Sequence, residues 1–187
     1  MAVRTGMADL ILRLRRDVDA AGTAVWTDQE LQNTLDAHKM RVWREPLEAE
    51  RTLLSTTAYE YRVFHSRFGN YESGGTAYFN VEDSAGSQRG TATYTADYLA
   101  GVVTMTADQA GTALYLTGHS YDMAGAASEL WRERAGKVAS YYDVSTGGKS
   151  LSRSQWRAAC LELSKEFASQ ARAVTVRQWT NGVFGND

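Results

Sequence analysis

The first part of the chain places apolar residues at the spacing of an α-helix. One face of this helix is formed by Leu10, Ile11, Leu14 and Val18. Arginines and aspartates occupy the positions between them, and the small residues 20–22 predict the end of the helix. The pattern indicates an amphipathic helix with one buried face.

A second helix is predicted from its start signal. The Thr27 hydroxyl can accept a hydrogen bond from the Glu30 amide, and the Glu30 carboxylate can accept one from the Thr27 amide, which makes a capping box. Trp26 and Leu31 flank the box as a hydrophobic staple. The pattern predicts a helix that runs to about Trp43.

Between residues 57 and 117 the apolar period changes to two, which is typical of half-buried strands. Tyr59, Tyr61 and Val63 alternate with charged residues, and later runs rich in Val, Thr and Tyr lie between Gly- and Asp-containing turns. Four or five short strands are expected. They indicate an antiparallel meander or a small barrel-like sheet.

Helical spacing returns at Tyr121 or Asp122. The third helix has a stripe formed by Ala127, Trp131, Val138 and Tyr142. A second capping box, Ser152–Gln155, predicts a fourth helix. The apolar stripe of that helix is formed by Trp156, Cys160, Leu163 and Phe167.

The order of elements predicts an α+β fold: a small bundle of about four helices with an inserted antiparallel β-module and an extended C-terminal arm. The expected parts are the N-terminal helices (1–51), the β-module (52–118), the C-terminal helices (119–173) and the arm (174–187).

Composition narrows the classes of function. The 187 residues hold 20 Lys and Arg against 22 Asp and Glu, and the net charge of -2 argues against a dedicated nucleic-acid-binding protein. We expect no membrane span and no signal peptide, because no long apolar run is present. Cys160 is the single cysteine, which leaves no intrachain disulfide and fits a reducing compartment.

One motif resembles part of a phosphate-binding loop. Residues 146–150 read Thr-Gly-Gly-Lys-Ser, but the full motif needs glycine where Asp143 stands, and it needs a preceding strand. We therefore interpret the segment as a polar connection between two helices.

The remaining reactive side chains form no recognisable site. The three histidines lack a metal-ligand spacing: His38 is expected near a helix C-terminus, and His65 and His119 flank the β-module. Cys160 is interpreted as a buried structural thiol, and Asp17 and Asp19 as a solvated charged face. We expect no catalytic, metal or cofactor site and no enzymatic activity.

The end of the chain is the part that most clearly indicates a partner, because an arm that exposes a Trp and a Phe favours binding. The residues expected to bind are Val174, Val176, Arg177, Trp179, Val183 and Phe184. The alternative is that the arm folds back on its own core.

Three segments resemble the head-tail connector proteins of tailed bacteriophages, of the adaptor or head-completion type. They are residues 27–38 (Thr-Asp-Gln-Glu-Leu-Gln-Asn-Thr-Leu-Asp-Ala-His), residues 121–131 (Tyr-Asp-Met-Ala-Gly-Ala-Ala-Ser-Glu-Leu-Trp) and residues 143–155 (Asp-Val-Ser-Thr-Gly-Gly-Lys-Ser-Leu-Ser-Arg-Ser-Gln). The likeness covers residues 7–173. The β-module departs from it, since simpler members are nearly all helical.

The resemblance implies a structural virion protein of the neck, assembled in the host cytoplasm. Such proteins form a twelve-fold homo-oligomeric ring below the portal protein, extend the DNA channel and offer a platform to the stopper or tail protein. Packaged DNA would pass through the lumen without sequence-specific binding, and no membrane is involved. The arm would bind the portal.

Two alternatives stay open. One is a stopper or tail-completion protein of the virion. The other is a ligand- or carbohydrate-binding module that uses the tyrosine-rich sheet, whose candidate residues are Tyr59, Tyr61, Tyr78, Tyr94, Tyr98 and Tyr115.

Overall fold

The computed structural model of the chain describes residues 2–19, 25–55, 58–138, 144–146, 149–151 and 153–172. Its helices are α1 (Ala8–Val18), α2 (Asp28–Ala37), α3 (Met123–Val138) and α4 (Arg153–Gln170), and a short 3-10 helix, Thr5–Met7, precedes α1. The strands are β1 (Lys39–Pro46), β2 (Glu48–Ala49), β3 (Thr52–Leu53), β4 (Tyr59–Glu60), β5 (Val63–His65), β6 (Phe79–Asp83), β7 (Tyr94–Asp97), β8 (Val102–Met105), β9 (Leu114–Tyr121), β10 (Val144–Thr146) and β11 (Lys149–Leu151). The predicted α+β class, with four helices and antiparallel sheets, is confirmed.

The helices pack together as one layer and share an apolar core. The predicted face of α1 is buried there together with Trp26, Leu31 and Leu35 from the start and middle of α2. The capping box of α2 is confirmed: the Glu30 amide donates to Thr27 Oγ1 over 3.2 Å, and the Thr27 amide donates to Glu30 Oε2 over 2.7 Å. Local capping chemistry therefore fixes where α2 begins.

The two larger antiparallel sheets of the β-module bury a second core between them, and β3 pairs with β4 in a separate two-stranded hairpin. The strand orders are β1-β9-β6 in one sheet and β2-β5-β8-β7 in the other. Val42, Val81 and Leu116 from the first sheet meet Phe64 and Val103 from the second, and all five are buried. Alternate residues on each strand supply this core, as the period of two predicts.

The predicted extent of the second helix is wrong. The helix ends at Ala37, with His38 as its cap, and β1 follows at once. β1 pairs with β9, so that Lys39 lies opposite Tyr121 and Pro46 opposite Tyr115. The sheets therefore extend from Lys39 to Tyr121, beyond the range 52–118. A pairing partner more than sixty residues away overrides the local helical pattern.

The connection between α3 and α4 is also more ordered than the predicted polar loop. β10 and β11 pair with each other, with Val144 opposite Leu151 and Thr146 opposite Lys149. Lys149 and Ser150 therefore stand in a strand, whereas a phosphate-binding loop needs these residues at the start of a helix. Ser152 of the predicted second capping box lies outside the described residues, and α4 begins at Arg153.

A buried polar network joins the helical layer to the β-module. The Arg4 guanidinium donates to Asp36 at the end of α2 (Nη2 to Oδ1, 2.6 Å) and to Glu72 in the β-module (Nε to Oε1, 2.7 Å). The Tyr121 hydroxyl also donates to Glu72, whose side chain is only 1% exposed. Gly6 lets this N-terminal segment approach, since a Cβ there would lie 1.8 Å from the Ser73 carbonyl oxygen. The two layers are thus held as one body.

Candidate functional site

The arm residues predicted to bind a partner lie outside the described residues. They are Val174, Val176, Arg177, Trp179, Val183 and Phe184. What the structure describes is the point from which the arm continues, at Ala171 and Arg172. The geometry of that point decides where the arm starts on the molecule.

A set of contacts that we call the Arg172 anchor fixes Arg172 at the junction between the helices and the β-module. Its backbone amide donates to Asp122 Oδ2 (3.0 Å), and its Nη1 donates to Ser120 Oγ (2.8 Å). Its guanidinium lies over the Phe68 ring, 5.3 Å from the centroid. Because Asp122 Oδ1 also accepts from the Gly125 amide at the start of α3, one carboxylate ties the end of α4 to the start of α3.

A groove of about 490 Å³ lies beside this anchor, between α3 and the last turn of α4. Ala168 and Ala171 line it on one side, and His38, Glu129 and Arg132 line it on the other. His38 Nε2 lies 2.7 Å from Glu129 Oε2, so the histidine at the end of α2 is tied to α3. The predicted place of His38 at a helix C-terminus is confirmed.

A hairpin formed by β3 and β4 projects from the β-module, and two consecutive leucines stand near its tip. Leu53 is 60% exposed and Leu54 is 62% exposed. Tyr59 beside them is also exposed, and the Arg51 guanidinium stacks on its ring. Large apolar side chains at such exposure, on a narrow ribbon, are typical of a protein contact.

The chain reaches the hairpin and the Arg172 contacts from opposite ends of β5. β1 leaves the helical layer at Lys39 and ends at Pro46, at the far end of its sheet. The chain then crosses to the second sheet, where Glu48 lies opposite His65, and continues to the pair Leu53 and Tyr59. After His65, at the end of β5, the chain continues to Phe68, whose ring lies under the Arg172 guanidinium. The hairpin therefore precedes β5 in the chain, and the segment that contacts Arg172 follows it.

Two adjacent leucines are the sequence signal for this hairpin, and they stand just before the segment with a period of two. Leu53 and Leu54 are adjacent, so a strand cannot turn both of them to one buried face. Two neighbouring leucines followed by Ser55-Thr-Thr, immediately before the region of period two, indicate an apolar turn that the fold does not cover.

The six tyrosines proposed as a ligand-binding face do not share one surface. Tyr94 is buried, and Tyr61 and Tyr98 pack against the core of the β-module. Tyr115 lies against the Arg44 guanidinium on β9, Tyr78 packs edge-on against the His119 ring, and Tyr59 stands on the projecting hairpin. The structure thus disperses the tyrosine face that the carbohydrate-binding alternative requires.

Cys160 is buried, as predicted, and burial raises the pKa of its thiol. It lines a small cleft of about 240 Å³ between α3 and α4, with Trp131, Trp156 and Leu163. Trp156 is 38% exposed, so the predicted stripe of α4 is only partly covered.

The predicted solvated face at the end of α1 is wrong for Asp19. Its side chain is only 5% exposed, and Arg15 Nη1 donates to Asp19 Oδ2 over 2.5 Å. For Asp17, burial raises the carboxyl pKa. His65 and His119 lie inside β5 and β9 rather than beside the β-module.

Among the described residues, no three His, Cys, Asp or Glu side chains gather as a metal site would require. The same part of the chain contains no helix with the length and apolar character needed to cross a bilayer. Comparison of the chain with protein-family models, with curated proteins and with solved structures found no match in any of the three.

Proposed function

We propose that this protein is a structural component of a phage neck, which forms a ring below the portal, extends the DNA channel and carries the stopper or tail. The observation that carries the proposal is the presence of two separate features, a fixed start for the arm at Arg172 and an exposed apolar hairpin. The chain continues into the arm from Arg172, which Asp122 holds beside the helices, and the exposed Leu53 and Leu54 stand on the hairpin of β3 and β4.

A protein that joins two rings needs one contact surface for the first ring and a different contact surface for the second. The Arg4 network and the Arg172 anchor both link the helices to the β-module. A contact made by the helices is therefore mechanically coupled to a contact made by the β-module. The anchor also gives the arm a fixed origin, which raises the effective concentration of its aromatic residues near a bound partner. These features favour an adaptor over a mobile accessory protein.

The arm is proposed to bind the portal through Trp179 and Phe184, with Val174, Val176, Arg177 and Val183 beside them. An extended arm can add a strand to a neighbour, where main-chain hydrogen bonds give affinity and alternate side chains give specificity. The projecting hairpin is proposed to contact the next ring, which is the stopper or the tail.

The experiment is reconstitution with purified portal and stopper, followed by native mass spectrometry. We expect a complex with the ring stoichiometry of the portal, to which the stopper then adds. Removal of the arm should abolish binding to the portal. Leu53→Asp with Leu54→Asp should leave portal binding intact and abolish only the addition of the stopper. A chain that binds neither protein would overturn the proposal.

A stopper or tail-completion protein remains the second candidate within the virion. The exposed hairpin tip favours this second candidate, because a contact made through the hairpin does not require the chain to bind the portal. The same reconstitution separates the two functions: a stopper should add only to a portal that already carries an adaptor, whereas an adaptor should bind the bare portal.

A further inference from the structure

The outer face of the first sheet combines cations with an exposed aromatic ring. We call it the Trp43 face, and it consists of Lys39, Arg41, Trp43, Arg44, Asn80, Glu82, Tyr115, Thr117 and His119. Trp43 is 65% exposed, which makes it the most exposed large apolar side chain of the described residues. The Arg41 guanidinium lies over its ring, 5.0 Å from the centroid. No described helix or strand covers Trp43.

A β-bulge creates this arrangement. The register of β1 on β9 shifts between Val42 and Glu45, so that Trp43 and Arg44 together lie opposite Thr117. Arg44 takes a positive φ of 44°, which is strained for a residue with a side chain. Bulges turn side chains in new directions and often lie beside functional sites. Here the bulge holds Trp43 out on the surface.

The charge on this face is predominantly positive. Lys39 and Arg41 stand on the same side of β1, and neither forms an ion pair with another described residue. Arg44 is balanced by Glu82, 3.8 Å away, and Asp36 at the end of α2 is already held by Arg4. Burial and then the cation of Lys39 lower the pKa of His119, which is consistent with a positive local potential.

Two buried polar atoms on the same sheet face are left without a partner in the described part of the chain. Asn80 is only 3% exposed, and its Oδ1 accepts no hydrogen bond, while its Nδ2 donates to Glu82. His119 Nδ1 is the second such atom, on the strand next to Asn80. Buried polar groups are normally satisfied, so these two atoms leave unused hydrogen-bonding capacity in this sheet.

We propose that the Trp43 face binds single-stranded nucleic acid, with an unpaired base stacked on Trp43 and the adjacent phosphates held by Lys39 and Arg41. A β-sheet that carries an exposed aromatic ring among cations is the usual platform for single strands. A duplex keeps its bases stacked on each other and cannot offer one to Trp43. The proposal does not rest on the neck function, since it concerns neither the arm nor the hairpin tip.

The test is fluorescence anisotropy of a short labelled oligothymidylate, titrated with the full chain at low salt. We expect binding, and we expect Trp43→Ala to weaken it by at least about fivefold. The matched control is Trp156→Ala, because Trp156 is a second exposed tryptophan near an arginine, Arg134, and should leave binding unchanged. Trp43→Phe keeps a stacking ring and should recover most of the affinity.

Salt dependence gives an independent readout. Each phosphate contact contributes about 0.7 to the slope of log K against log salt for single strands, so Lys39→Gln with Arg41→Gln should lower the slope by about 1.4. Absence of binding at low salt would overturn the proposal, and so would equal losses in the Trp43 and Trp156 variants. Tighter binding of a duplex or of an anionic polysaccharide would also overturn it.

Discussion

The backbone amide of Arg172 donates to Asp122 Oδ2 over 3.0 Å, and through this bond the last described residue of the chain is held at the first turn of α3. The other oxygen of the same carboxylate caps the helix at Gly125. A chain end that is tied in this way starts its arm from one place, which an adaptor that engages a portal needs.

The first prediction concerns this carboxylate. Asp122→Ala removes both the helix cap and the Arg172 bond, so it should lower the free energy of unfolding by about 1–2 kcal/mol. Asp122→Asn keeps one oxygen acceptor and should lower it less. Urea unfolding followed by circular dichroism measures both. Equal stability of the alanine variant and the native protein would show that the carboxylate does not tie the two helices.

The second prediction separates the arm from the fold. A chain that ends at Arg172 keeps both cores and the Arg4 network, so its melting temperature should match that of the full chain. Its binding to the portal should be lost, because Trp179 and Phe184 are absent. Trp179→Ala with Phe184→Ala in the full chain is the matched variant. Portal binding that survives in both proteins would place the contact elsewhere.

The third prediction follows from the pKa of Asp36, which the hydrogen bond from Arg4 holds below its ordinary value of 3.8. The folded state therefore binds this proton less readily than the unfolded state. The stabilisation from Asp36 is present above pH 3.8 and is lost as the pH falls below it. Asp36→Asn should be less stable than the native protein at neutral pH, and the difference should shrink on acidification.

The test is the unfolding free energy of the native protein and of Asp36→Asn, measured from neutral pH to below pH 3.8. Asp28→Asn is a useful control, because Asp28 also pairs with an arginine but is mostly exposed. A difference between native protein and Asp36→Asn that stays constant with pH would contradict the Arg4 pairing.

How well the sequence predicts the structure depends on the range of the interactions. The start of α2 is encoded by Thr27 and Glu30, three residues apart, and was predicted correctly. The end of α2 depends on β9, far along the chain, and was predicted wrongly. A capping box is complete within one helical turn, whereas a strand is stabilised by a partner that local sequence does not reveal.

The same limit applies to the candidate sites. The burial of Cys160 follows from its place on an apolar stripe, so the pattern was sufficient. The exposure of Trp43 depends on a bulge that turns it outward, and no local residue pattern specified that bulge. The dispersal of the tyrosines likewise follows from which sheet face each strand presents. Surface position is a property of the assembled sheets.

The fourth prediction concerns the projecting hairpin. Leu53→Asp with Leu54→Asp should change stability little, because both side chains are exposed and substitutions at such positions shift it within about 0.5 kcal/mol. Assembly on the portal should persist, while attachment of the stopper or tail should fail. Leu12→Asp is the matched control, since Leu12 is 52% exposed on α1. Normal stopper attachment in the double variant would exclude the hairpin as a docking element.

The fifth prediction uses the single cysteine as a probe of α4. Burial disfavours the Cys160 thiolate, so alkylation of the folded protein should be much slower than alkylation in denaturant. Trp156→Ala opens the cleft above the thiol and should accelerate the reaction. The rate of thiol labelling measures this. Equally fast labelling in the folded and the denatured protein would contradict the packing of α4 on α3.

The most direct test of the proposed neck function is the mass of the purified chain, measured alone and after mixing with portal protein. We expect the full chain to add to the portal in the stoichiometry of the portal ring, and we expect the chain ending at Arg172 to fail to add. A chain whose mass is unchanged by the portal would contradict the adaptor function.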